Sequence, residues 1–387
     1  MKALLLKLVP ENKASEGTQK WAIDWLLLAA IIPICCAGLF TMNSFLGEST
    51  FFERQLIWIS VGVALFFMLS FVDFRFLKRT RVIVALFALA CTLLLSLFVA
   101  GKMVKGSQSW FDFGLFSFQP SDPIKIVVIL ILAKYFSRRH IEIANIRHIF
   151  VSGFYAFVIF IMILLEPDFG SAMTIFLLWL GMVLVSGISK RHLLLVGLVG
   201  LIAFGGLWNY GFKDYQKQRI KNFLSPLNDV RGSGYNAYQS TIAVGSGQVW
   251  GKGVGYGTQS RLKFLPEYQT DFIFAAFAEE WGFVGVLLLF GLYALVIWRI
   301  LANALYGATN FEILFGIGLA IYFMAHFCIN VGMNIGLLPV TGLVMPFMSY
   351  GGSHILTEFS ALGMLMGMRR YRRAAHKDLM KNEFLGV

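Results

Sequence analysis

Charged side chains are scarce in this sequence. Asp, Glu, Lys and Arg make up only 14% of its 387 residues, whereas a soluble domain carries about 25%. Hydrophobic residues account for 58% of the chain and aromatic residues for 16%. The scarcity of charge excludes an ordinary soluble domain and predicts a membrane protein with several spans, for which length alone is a poor guide to the number of domains.

A cysteine framework and a cleavable signal peptide are also missing. The four cysteines lie inside apolar runs, without the spacing of a metal site or of an extracellular disulfide framework, so we interpret them as small core residues. Residues 1–20 carry four lysines around only a short apolar run. The first long apolar segment, WLLLAAIIPICCAGLF, is long enough to remain in the bilayer as an anchor.

A nucleotide-binding loop is absent from the glycine-rich run GSGQVWGKGVGYGTQS, residues 245–260. The run has no G-x-x-x-x-G-K-[ST] match, because Lys252 is followed by Gly253. Its backbone amides could still bind phosphate oxygens, and the alternative is a flexible loop rich in turns. Both interpretations stay open at the level of the sequence.

Long apolar segments recur along the chain. A transmembrane helix needs about 20 apolar residues. Ten segments approach this length: 22–43, 55–73, 82–100, 120–137, 149–166, 170–188, 191–209, 271–299, 311–334 and 343–368. The sequence therefore predicts an all-α polytopic membrane protein with ten transmembrane helices.

The basic residues of the short loops set the orientation. Lysine and arginine crowd the N-terminus, the loops RFLKRTR, KYFSRRH and SKRH, and the tail RRYRR, whereas the alternate short loops carry few or none. By the positive-inside rule, both termini lie in the cytoplasm. Basic cytoplasmic loops also account for the net charge of +12, so this charge does not require nucleic acid as a partner.

Three regions follow from this topology. A cytoplasmic N-terminal segment covers residues 1–21, a transmembrane domain covers 22–368, and a basic cytoplasmic tail covers 369–387. The transmembrane domain includes a long extracytoplasmic loop, 210–270, between spans seven and eight. A connection of this length is typically functional. The loop is basic, and its cations include Arg219, Lys252, Arg261 and Lys263.

Two carboxylates stand one helical turn apart in the stretch FLPEYQTDFIF, where span eight begins. Thr270 or Asp271 could cap the helix N-terminus, where the helix dipole favours an anion. Alternatively, Asp271 is a general base held at the membrane surface beside the basic loop, with Glu267 facing the same way. Glu279 and Glu280 follow in the same span, and we expect them to bond polar groups inside the bundle because charges facing lipid are costly.

The stretch QPSDPIKI opens span four. Asp122 and Lys125 are three residues apart on one helix face, which predicts an ion pair. The pair is either structural or faces the same outer cavity as Asp271. In span ten, His354 and Glu358 are four residues apart, and we favour their mutual pairing over a metal site.

Two other polar features interrupt apolar spans. His326 lies in span nine, and we expect a hydrogen-bonded core histidine there rather than a metal ligand. The glycines of SYGGS, residues 349–353, interrupt the apolar run of span ten. They indicate a re-entrant segment or a closely packed helix start.

Five stretches resemble the signatures of a known family. They are QPSDPIKI, EPDFGSAM, GKGVGYGTQSRLKFLPEYQTDFIFAAFAEEWG, GMNIGLLPVTG and MPFMSYGGS, in that order within residues 110–370. Together they are similar to the motifs of the SEDS family, named for shape, elongation, division and sporulation. The runs GTQSRLKFLPE and GMNIGLLPVTG resemble the elongation branch of the family more than its division branch.

The resemblance implies a ten-helix peptidoglycan glycosyltransferase of the bacterial cytoplasmic membrane. Such an enzyme polymerises lipid II into β-1,4 glycan strands at the outer face of that membrane and releases undecaprenyl pyrophosphate. It works with a class B penicillin-binding protein as its transpeptidase. Asp271 matches the essential aspartate of the family. Asp122 and Lys125 match its Glu/Lys pair, with an acidic side chain shorter by one methylene.

Three further residues depart from the family pattern. Glu166 stands where the family has Gln, and His354 and Glu358 stand where it usually has apolar or small residues. The family resemblance makes Asp271 the expected catalytic base, and Glu267 a supporting residue together with the pair in span four. The expected substrate-binding cations are Arg219, Lys252, Arg261 and Lys263. They would offset the charge of the leaving pyrophosphate, and a divalent cation could share this task.

The competing hypothesis is a lipid II flippase, and a scaffold for the elongation or division machinery is third. A transporter needs polar groups through the full depth of the membrane, whereas the polar motifs here concentrate on the outer side. A glycosyltransferase of the division type is the alternative within the family. The pattern of polar residues favours a transferase over a flippase.

Overall fold

The structure is a computed structural model. It describes residues 23–43, 49–104, 107–114, 116–137, 146–212, 214–225, 233–262 and 264–371. The predicted cytoplasmic segment 1–21, the predicted tail beyond residue 371 and Lys263 lie outside the described residues.

Most of the described chain is helical. The helices are α1 (Trp25–Asn43), α2 (Ser49–Ser70), α3 (Thr80–Ala100), α4 (Ser121–Ser137), α5 (Ile146–Leu165), α6 (Phe169–Ser186), α7 (Lys190–Gly206), α8 (Asp214–Leu224), α9 (Ser233–Ser246), α10 (Thr258–Arg261), α11 (Ile273–Leu305), α12 (Asn310–Asn334) and α13 (Gly352–Arg370). A 3₁₀ turn covers Phe74–Lys78, and a π-helical turn, Leu207–Gly211, continues α7.

Eight of the helices within the described ranges are long and apolar enough to cross a membrane: α1, α2, α3, α5, α6, α7, α11 and α12. The prediction of a helical protein with several membrane spans is therefore confirmed. The other two predicted spans, 120–137 and 343–368, overlap α4, which has 17 residues, and α13, which is more polar. The count of ten spans stays a prediction.

The bundle packs around α12. This helix contacts α11, α4 and α6, while α13 lies against α2 and α11 lies against α1. In the most apolar stretch of α12, 67% of the residues are buried, against 0% in α7. A helix that is apolar on all sides and exposed requires lipid rather than water around it. We therefore interpret α7 as a lipid-facing helix and α12 as the centre of the protein core.

The tenth predicted span is only partly helical. The sequence predicted a span over 343–368 that is interrupted at SYGGS, and α13 begins there, at Gly352. Residues 342–351, hereafter the 342–351 segment, are not helical, although most of their side chains are buried. The expected close packing at SYGGS is confirmed, because a Cβ atom on Gly352 would lie 2.5 Å from the indole ring of Trp58. Non-helical backbone at membrane depth requires partners inside the protein.

The loops contain regular structure that the sequence did not indicate. Three short strands, β1 (Lys102–Val104), β2 (Ser107–Asp112) and β3 (Ser117–Phe118), form an antiparallel sheet in the order β1-β2-β3. The register pairs Lys102 with Trp110 and Phe111 with Phe118. The fold is thus helical with one small sheet between α3 and α4. The predicted loop 210–270 contains α8, α9 and α10.

A kink divides α11 into two helical parts. Gly282 has a φ of +65°, which a residue with a side chain rarely adopts. A Cβ atom there would lie 2.2 Å from the backbone nitrogen of Gly251. The close approach of two glycines lets the glycine-rich run pack directly on the kink. Residues 273–280 before the kink are buried.

Candidate active site

Asp271 lies immediately before the first part of α11. The N-cap residue of this helix is Phe272, and no side chain caps it, so the interpretation of Thr270 or Asp271 as a capping residue was wrong. The carbonyl oxygen of Asp271 accepts hydrogen bonds from the side-chain amides of Asn330, at 3.0 Å, and Asn334, at 3.1 Å. Both asparagines are buried on α12. They anchor the main chain that carries the carboxyl group.

The anchoring asparagines are tied to further elements. Asn330 also donates to the carbonyl oxygen of Leu343, at 2.8 Å. The side-chain oxygen of Asn334 accepts from the backbone amide of Ala275, at 3.3 Å, and from the hydroxyl of Ser240, at 3.1 Å. The position of Asp271 is therefore set jointly by α9, α11, α12 and the 342–351 segment.

Glu267 closes the turn that leads to Asp271. Its φ of +57° is left-handed, and its carbonyl oxygen accepts from the backbone amides of Thr270, at 3.1 Å, and Phe272, at 3.2 Å. Its carboxylate accepts from the hydroxyl of Thr270 at 3.2 Å. Left-handed backbone at a residue other than glycine costs on the order of 1–3 kcal/mol and persists where surrounding contacts impose it. Glu267 thus shapes the backbone beside Asp271.

The 342–351 segment lies against the same turn. The hydroxyl of Ser349 donates to the carbonyl oxygen of Thr270 at 2.7 Å, and the amide of Tyr350 donates to the carbonyl oxygen of Gln269 at 2.8 Å. A Cβ atom on Gly342, whose φ is +77°, would lie 3.7 Å from a carboxylate oxygen of Asp271. The carboxyl group of Asp271 therefore faces the beginning of this segment.

Other side chains satisfy the backbone of the 342–351 segment. Gln55 of α2 donates to the carbonyl oxygen of Ser349, at 2.9 Å, and accepts from the amide of Gly351, at 3.2 Å. Tyr293 donates to the carbonyl oxygen of Pro346. His326 lies 3.3 Å from the carbonyl oxygen of Val344, so it is the hydrogen-bonded core histidine that the sequence predicted.

The predicted ion pair of α4 is present and buried. The ammonium group of Lys125 lies 3.1 Å from a carboxylate oxygen of Asp122. The same oxygen lies 3.4 Å from Nδ1 of His354. Nε2 of His354 lies 2.9 Å from Glu358, in a contact that lacks the alignment of a hydrogen bond. The structure confirms the predicted proximity of His354 and Glu358 and joins both predicted pairs into one buried network.

Glu279 and Glu280 bind the glycine-rich run. Glu279 accepts from the ammonium group of Lys252, at 2.7 Å, from the hydroxyl of Thr258, at 3.1 Å, and from the amide of Gln259, at 3.1 Å. Glu280 accepts from the amide of Gly255 at 2.9 Å. The polar partners expected for the two glutamates therefore include groups of the predicted loop 210–270.

The same contacts bear on the two interpretations of the glycine-rich run. The amides of Lys252 and Gly253 donate to the carbonyl oxygens of Glu279 and Glu280, each at 3.0 Å. The amides of Gly255 and Gln259 donate to the carboxylates of the same glutamates. Backbone amides that bond α11 are not available to phosphate oxygens. The run is a loop rich in turns that is fixed to α11.

The predicted substrate-binding cations occupy different surroundings. Lys252 is paired with Glu279, and the exposed Arg261 lies 3.5 Å from the carbonyl oxygen of Gly255. Arg219 lines a small open cavity of about 70 Å³ between α8, α9 and residues 336–340. Lys263 lies outside the described residues. In the described part of the chain, no three His, Cys, Asp or Glu side chains gather as a metal site, and the divalent cation stays a prediction.

Glu166 and Asp168 lie in the turn between α5 and α6. Asp168 caps α6 by accepting from the amide of Ser171, at 3.0 Å, and it accepts from Gln119, at 2.8 Å. Burial, and then the charge of Asp168, raise the pKa of Glu166 to about 8. Gln119 also binds Ser353, because its carbonyl oxygen accepts from that hydroxyl at 3.2 Å. Gln119 thus connects three of the stretches that resemble family signatures, namely QPSDPIKI, EPDFGSAM and MPFMSYGGS.

Sequence reasoning missed the amide side chains that hold the site together, namely Gln55, Gln119, Asn330 and Asn334. A signal was present for the two asparagines, which lie four residues apart in an otherwise apolar helix. Polar residues at that spacing share a helix face, and in a membrane span they face the bundle interior. No local pattern indicates the two glutamines, whose partners lie 49 to 296 positions away.

Comparisons with known proteins identify the family of this chain. The family described as "Cell cycle protein", which covers FtsW, RodA and SpoVE, matches residues 19–374. Stage V sporulation protein E of Bacillus subtilis is 34% identical over 371 residues, 92% of this chain and 99% of that protein. Peptidoglycan glycosyltransferase MrdB of Escherichia coli is 35% identical over 328 residues, 84% of this chain and 88% of that protein.

Solved structures show the same fold. Rod shape determining protein RodA of Thermus thermophilus has a TM-score of 0.69 at 28% identity, over 92% of this chain and 99% of that chain. A chain from a structure described as "Structural coordination of polymerization and crosslinking by a peptidoglycan synthase complex" has a TM-score of 0.77 at 30% identity, over 90% of this chain and 98% of that chain. The protein belongs to the SEDS family of FtsW, RodA and SpoVE proteins.

Proposed function

We propose that the protein is a peptidoglycan glycosyltransferase that polymerises lipid II into glycan strands at the outer face of the bacterial cytoplasmic membrane. Family membership supports this activity, since similar proteins carry the name peptidoglycan glycosyltransferase. The observation that carries the assignment of the site is the position of Asp271. Its main chain is held by two buried asparagines, and its carboxyl group faces Gly342.

The reaction needs one base and one stabilised leaving group. Asp271 takes the proton from the 4-hydroxyl group of the acceptor lipid II. The hydroxyl oxygen attacks C1 of the lipid-linked end of the growing strand, and the bond from C1 to the pyrophosphate oxygen breaks. Inversion at C1 gives the β-1,4 linkage, and undecaprenyl pyrophosphate leaves. The anchoring of the Asp271 backbone supports this role, because a base must be held within hydrogen-bonding reach of its substrate.

The charge of the leaving pyrophosphate requires cations. Among the cations of the described outer loop, the exposed Arg261 is a better candidate than Lys252, because Lys252 already neutralises Glu279. Arg219 stays a candidate beside it. Lys263, which precedes the turn of Glu267, is a further candidate. A divalent cation would supply additional charge stabilisation when bound.

The topology we propose has ten spans with both termini in the cytoplasm. The positive-inside pattern of the short loops supports this orientation. It puts Asp271 and the long loop 210–270 on the outer side. Cysteines introduced at Asn236 and at Tyr371, in a cysteine-free background, test it. We expect labelling of the first from outside the cell and labelling of the second only after permeabilisation. Labelling of Tyr371→Cys in intact cells would contradict the proposed topology.

A flippase is the alternative activity, and the interior of α13 favours the transferase. The buried network ends at Glu358, and the next charged residue on this helix is Arg369. Between them, residues 359–368 span about 15 Å of helix without a charged side chain, and most of them are buried. A transport path needs polar groups along its full depth.

Two finer assignments complete the proposal. The runs GTQSRLKFLPE and GMNIGLLPVTG support a role in cell elongation, with a division role of the FtsW type as the alternative. The similarity to a chain of a peptidoglycan synthase complex supports a class B penicillin-binding protein as partner. We expect the protein to co-purify with a single-span transpeptidase that raises its activity, and equal activity without co-purification in mild detergent would contradict this.

The decisive experiment uses purified protein and lipid II in detergent, where no closed membrane exists and flipping is not required. Products are separated by chain length, with and without the transpeptidase. We expect polymer from the wild-type protein and none from Asp271→Asn. Wild-type protein that makes no polymer with its partner, yet moves lipid II across liposomes, would establish the flippase instead.

A further inference from the structure

Glu358 reaches out of its helix to hold a strained residue. Its second carboxylate oxygen accepts the backbone amide of Phe347 at 2.8 Å. Phe347 has a φ of +59°, in the left-handed region that bulky residues avoid. Both residues are fully buried. Such a conformation persists only where surrounding contacts impose it, and the carboxylate of Glu358 is one of these contacts.

Phe347 is connected to Asp271 by two short links. Two residues further along the 342–351 segment, the hydroxyl of Ser349 donates to the carbonyl oxygen of Thr270 and accepts from the amide of Met345, at 2.8 Å. Thr270 directly precedes Asp271. A shift of the backbone at Phe347 is therefore carried to the residue beside the catalytic carboxylate through one hydroxyl group.

The first carboxylate oxygen of Glu358 lies beside His354, which connects it to the ion pair of α4. His354 lies between Glu358 and Asp122, and Asp122 pairs with Lys125. All four side chains are at least 96% buried. A buried carboxylate is costly unless charges and hydrogen bonds compensate it. Here His354 lies within 2.9 Å of one oxygen of Glu358, and the backbone amide of Phe347 binds the other.

We propose that Glu358 is a positioning residue of this enzyme. Through Phe347 and Ser349 it fixes the backbone at residues 269–271, and through His354 it connects that backbone to the Asp122–Lys125 pair. The inference rests on the proposed function of Asp271 as the base. It concerns a side chain that stands where the family usually has an apolar or small one.

A displacement of the catalytic carboxylate lowers the turnover number more than it lowers the affinity for the substrate. A displacement of about 1 Å in a catalytic group can cost about 10²-fold in rate. Removal of a side chain that binds the substrate directly would instead raise KM. Glu358 is buried behind the 342–351 segment and touches backbone, so its removal should lower kcat and leave KM for lipid II nearly unchanged.

The experiment compares three variants of the full-length protein with its partner. Glu358→Leu removes the acceptor for the Phe347 amide, and Glu358→Gln keeps an acceptor oxygen. The matched control is Glu312→Leu, because Glu312 is also buried and bonds backbone, in the amides of Ala308 and Thr309 before α12, and pairs with Lys78. Measurements are kcat and KM with lipid II, the melting temperature, and amide hydrogen exchange over residues 267–272 and 343–351.

We expect Glu358→Leu to lower kcat at least tenfold with KM within twofold of the wild type, and to speed exchange in both segments. Glu358→Gln should keep kcat within about threefold, because the acceptor is retained. Glu312→Leu should lower the melting temperature and leave kcat and exchange of the two segments unchanged. Turnover of Glu358→Leu within twofold of the wild type, or equal losses in Glu358→Gln and Glu358→Leu, would overturn the proposal.

Two further outcomes are decisive. If Glu358→Leu does not accumulate, Ser349→Ala tests the same connection, and a loss of at least fivefold in kcat supports it whereas full activity overturns it. If the wild-type protein makes no polymer, the proposed function fails. The exchange measurement then still decides whether Glu358 fixes residues 267–272, since it does not depend on turnover.

Discussion

The two ends of α13 hold two charge clusters of different design, one with partly exposed arginines and one that is fully buried. At the C-terminal end, Asp24 accepts from Arg299, at 2.6 Å, and from Asn303, at 2.7 Å, and Arg369 donates to Asn303 at 2.6 Å. These contacts join α1, α11 and α13. At the N-terminal end, the cluster of Asp122, Lys125, His354 and Glu358 ends on the backbone of the non-helical 342–351 segment.

The difference lies in what each cluster holds. Asp24 also accepts from the backbone amide of Leu27, at 3.2 Å, in the first turn of α1. All of its contacts thus involve regular helices, so their loss should loosen the bundle without changing the shape of a reactive site. The cluster of Glu358 holds main chain that adjoins Asp271. Burial and charge alone do not show whether a cluster only stabilises the fold or positions the active site. The distinguishing feature is the group on which the cluster ends, which for Glu358 is the backbone amide of Phe347 in the segment beside Asp271.

The largest expected effect comes from Asp271→Asn. The substitution keeps the size of the side chain and removes the base, and loss of a positioned general base costs about 10²–10⁴-fold. We expect a protein that accumulates in the membrane and binds its partner but makes no detectable polymer. The backbone bonds from Asn330 and Asn334 do not involve the carboxylate, so the substitution leaves both anchors of the main chain in place. Near-normal polymerisation at a normal protein level would reject Asp271 as the base.

The second prediction tests whether the ion pair of α4 belongs to the positioning cluster. Lys125→Ala leaves Asp122 without its lysine, and removal of one partner of a buried pair costs about 3–5 kcal/mol of stability. We expect at least a tenfold loss of kcat in the protein that accumulates. A double-mutant cycle with Asp122→Asn should be non-additive. Additive losses, or lower protein level at normal kcat, would make the pair structural.

The third prediction concerns the other cluster. Asp24→Asn is the same type of substitution as Asp271→Asn, and it weakens the contacts to Arg299 and Arg369. We expect a loss of about 1.5–3 kcal/mol of stability, the usual contribution of hydrogen bonds to charged groups. The melting temperature in detergent should fall while kcat per folded molecule stays within twofold. A loss of kcat comparable to that of Lys125→Ala would remove the distinction between the two clusters.

Sequence reasoning was most successful where the information is local. The apolar segments predicted the helices because each span must bury its own backbone hydrogen bonds in lipid. The pairs Asp122 with Lys125 and His354 with Glu358 followed from helical spacing alone. The family motifs point to Asp271 as the base, and this role stays a prediction, because no local rule distinguishes it from that of a helix cap.

The remaining features could not be predicted because their causes are distant in sequence. The stretch LVMPFM continues the apolar run of the tenth span, so hydropathy gave no sign that the backbone there is non-helical. Its conformation depends on Asn330, which binds Leu343, and on Glu358, which binds Phe347. Gln55 binds the residues that follow, Ser349 and Gly351. Likewise, the partners of Glu279 lie 20 to 27 positions earlier in the chain. The spacing of polar and apolar residues predicts which side chains share a helix face. It carries no information about contacts between distant parts of the chain.

A smaller effect is expected at Lys252. The ammonium group binds Glu279, which is fully buried, and the hydroxyl of Thr258 at 2.8 Å. Lys252→Met should therefore release the glycine-rich run from α11 and speed amide exchange over residues 251–259. We expect kcat to fall less than threefold, because Lys252 is occupied by Glu279. The comparison variant is Arg261→Met, which removes an exposed cation without a described carboxylate partner. A larger loss of kcat in Lys252→Met than in Arg261→Met would support Lys252 as a substrate-binding cation.

The smallest effect on turnover is expected at Glu166, where the effect on stability depends on pH. Burial raises the pKa of this carboxyl from 4.5 to about 8, so the folded protein binds its proton more tightly than the unfolded chain does. The stabilising contribution is full below about pH 4.5 and is lost as the pH rises through about 8. Glu166→Gln, which introduces the usual residue of the family, carries no charge at any pH. We expect it to raise the melting temperature at pH 8.5 by more than at pH 5.5, with kcat unchanged. A gain that is the same at both pH values would show that Glu166 is ionised in the folded protein at pH 5.5.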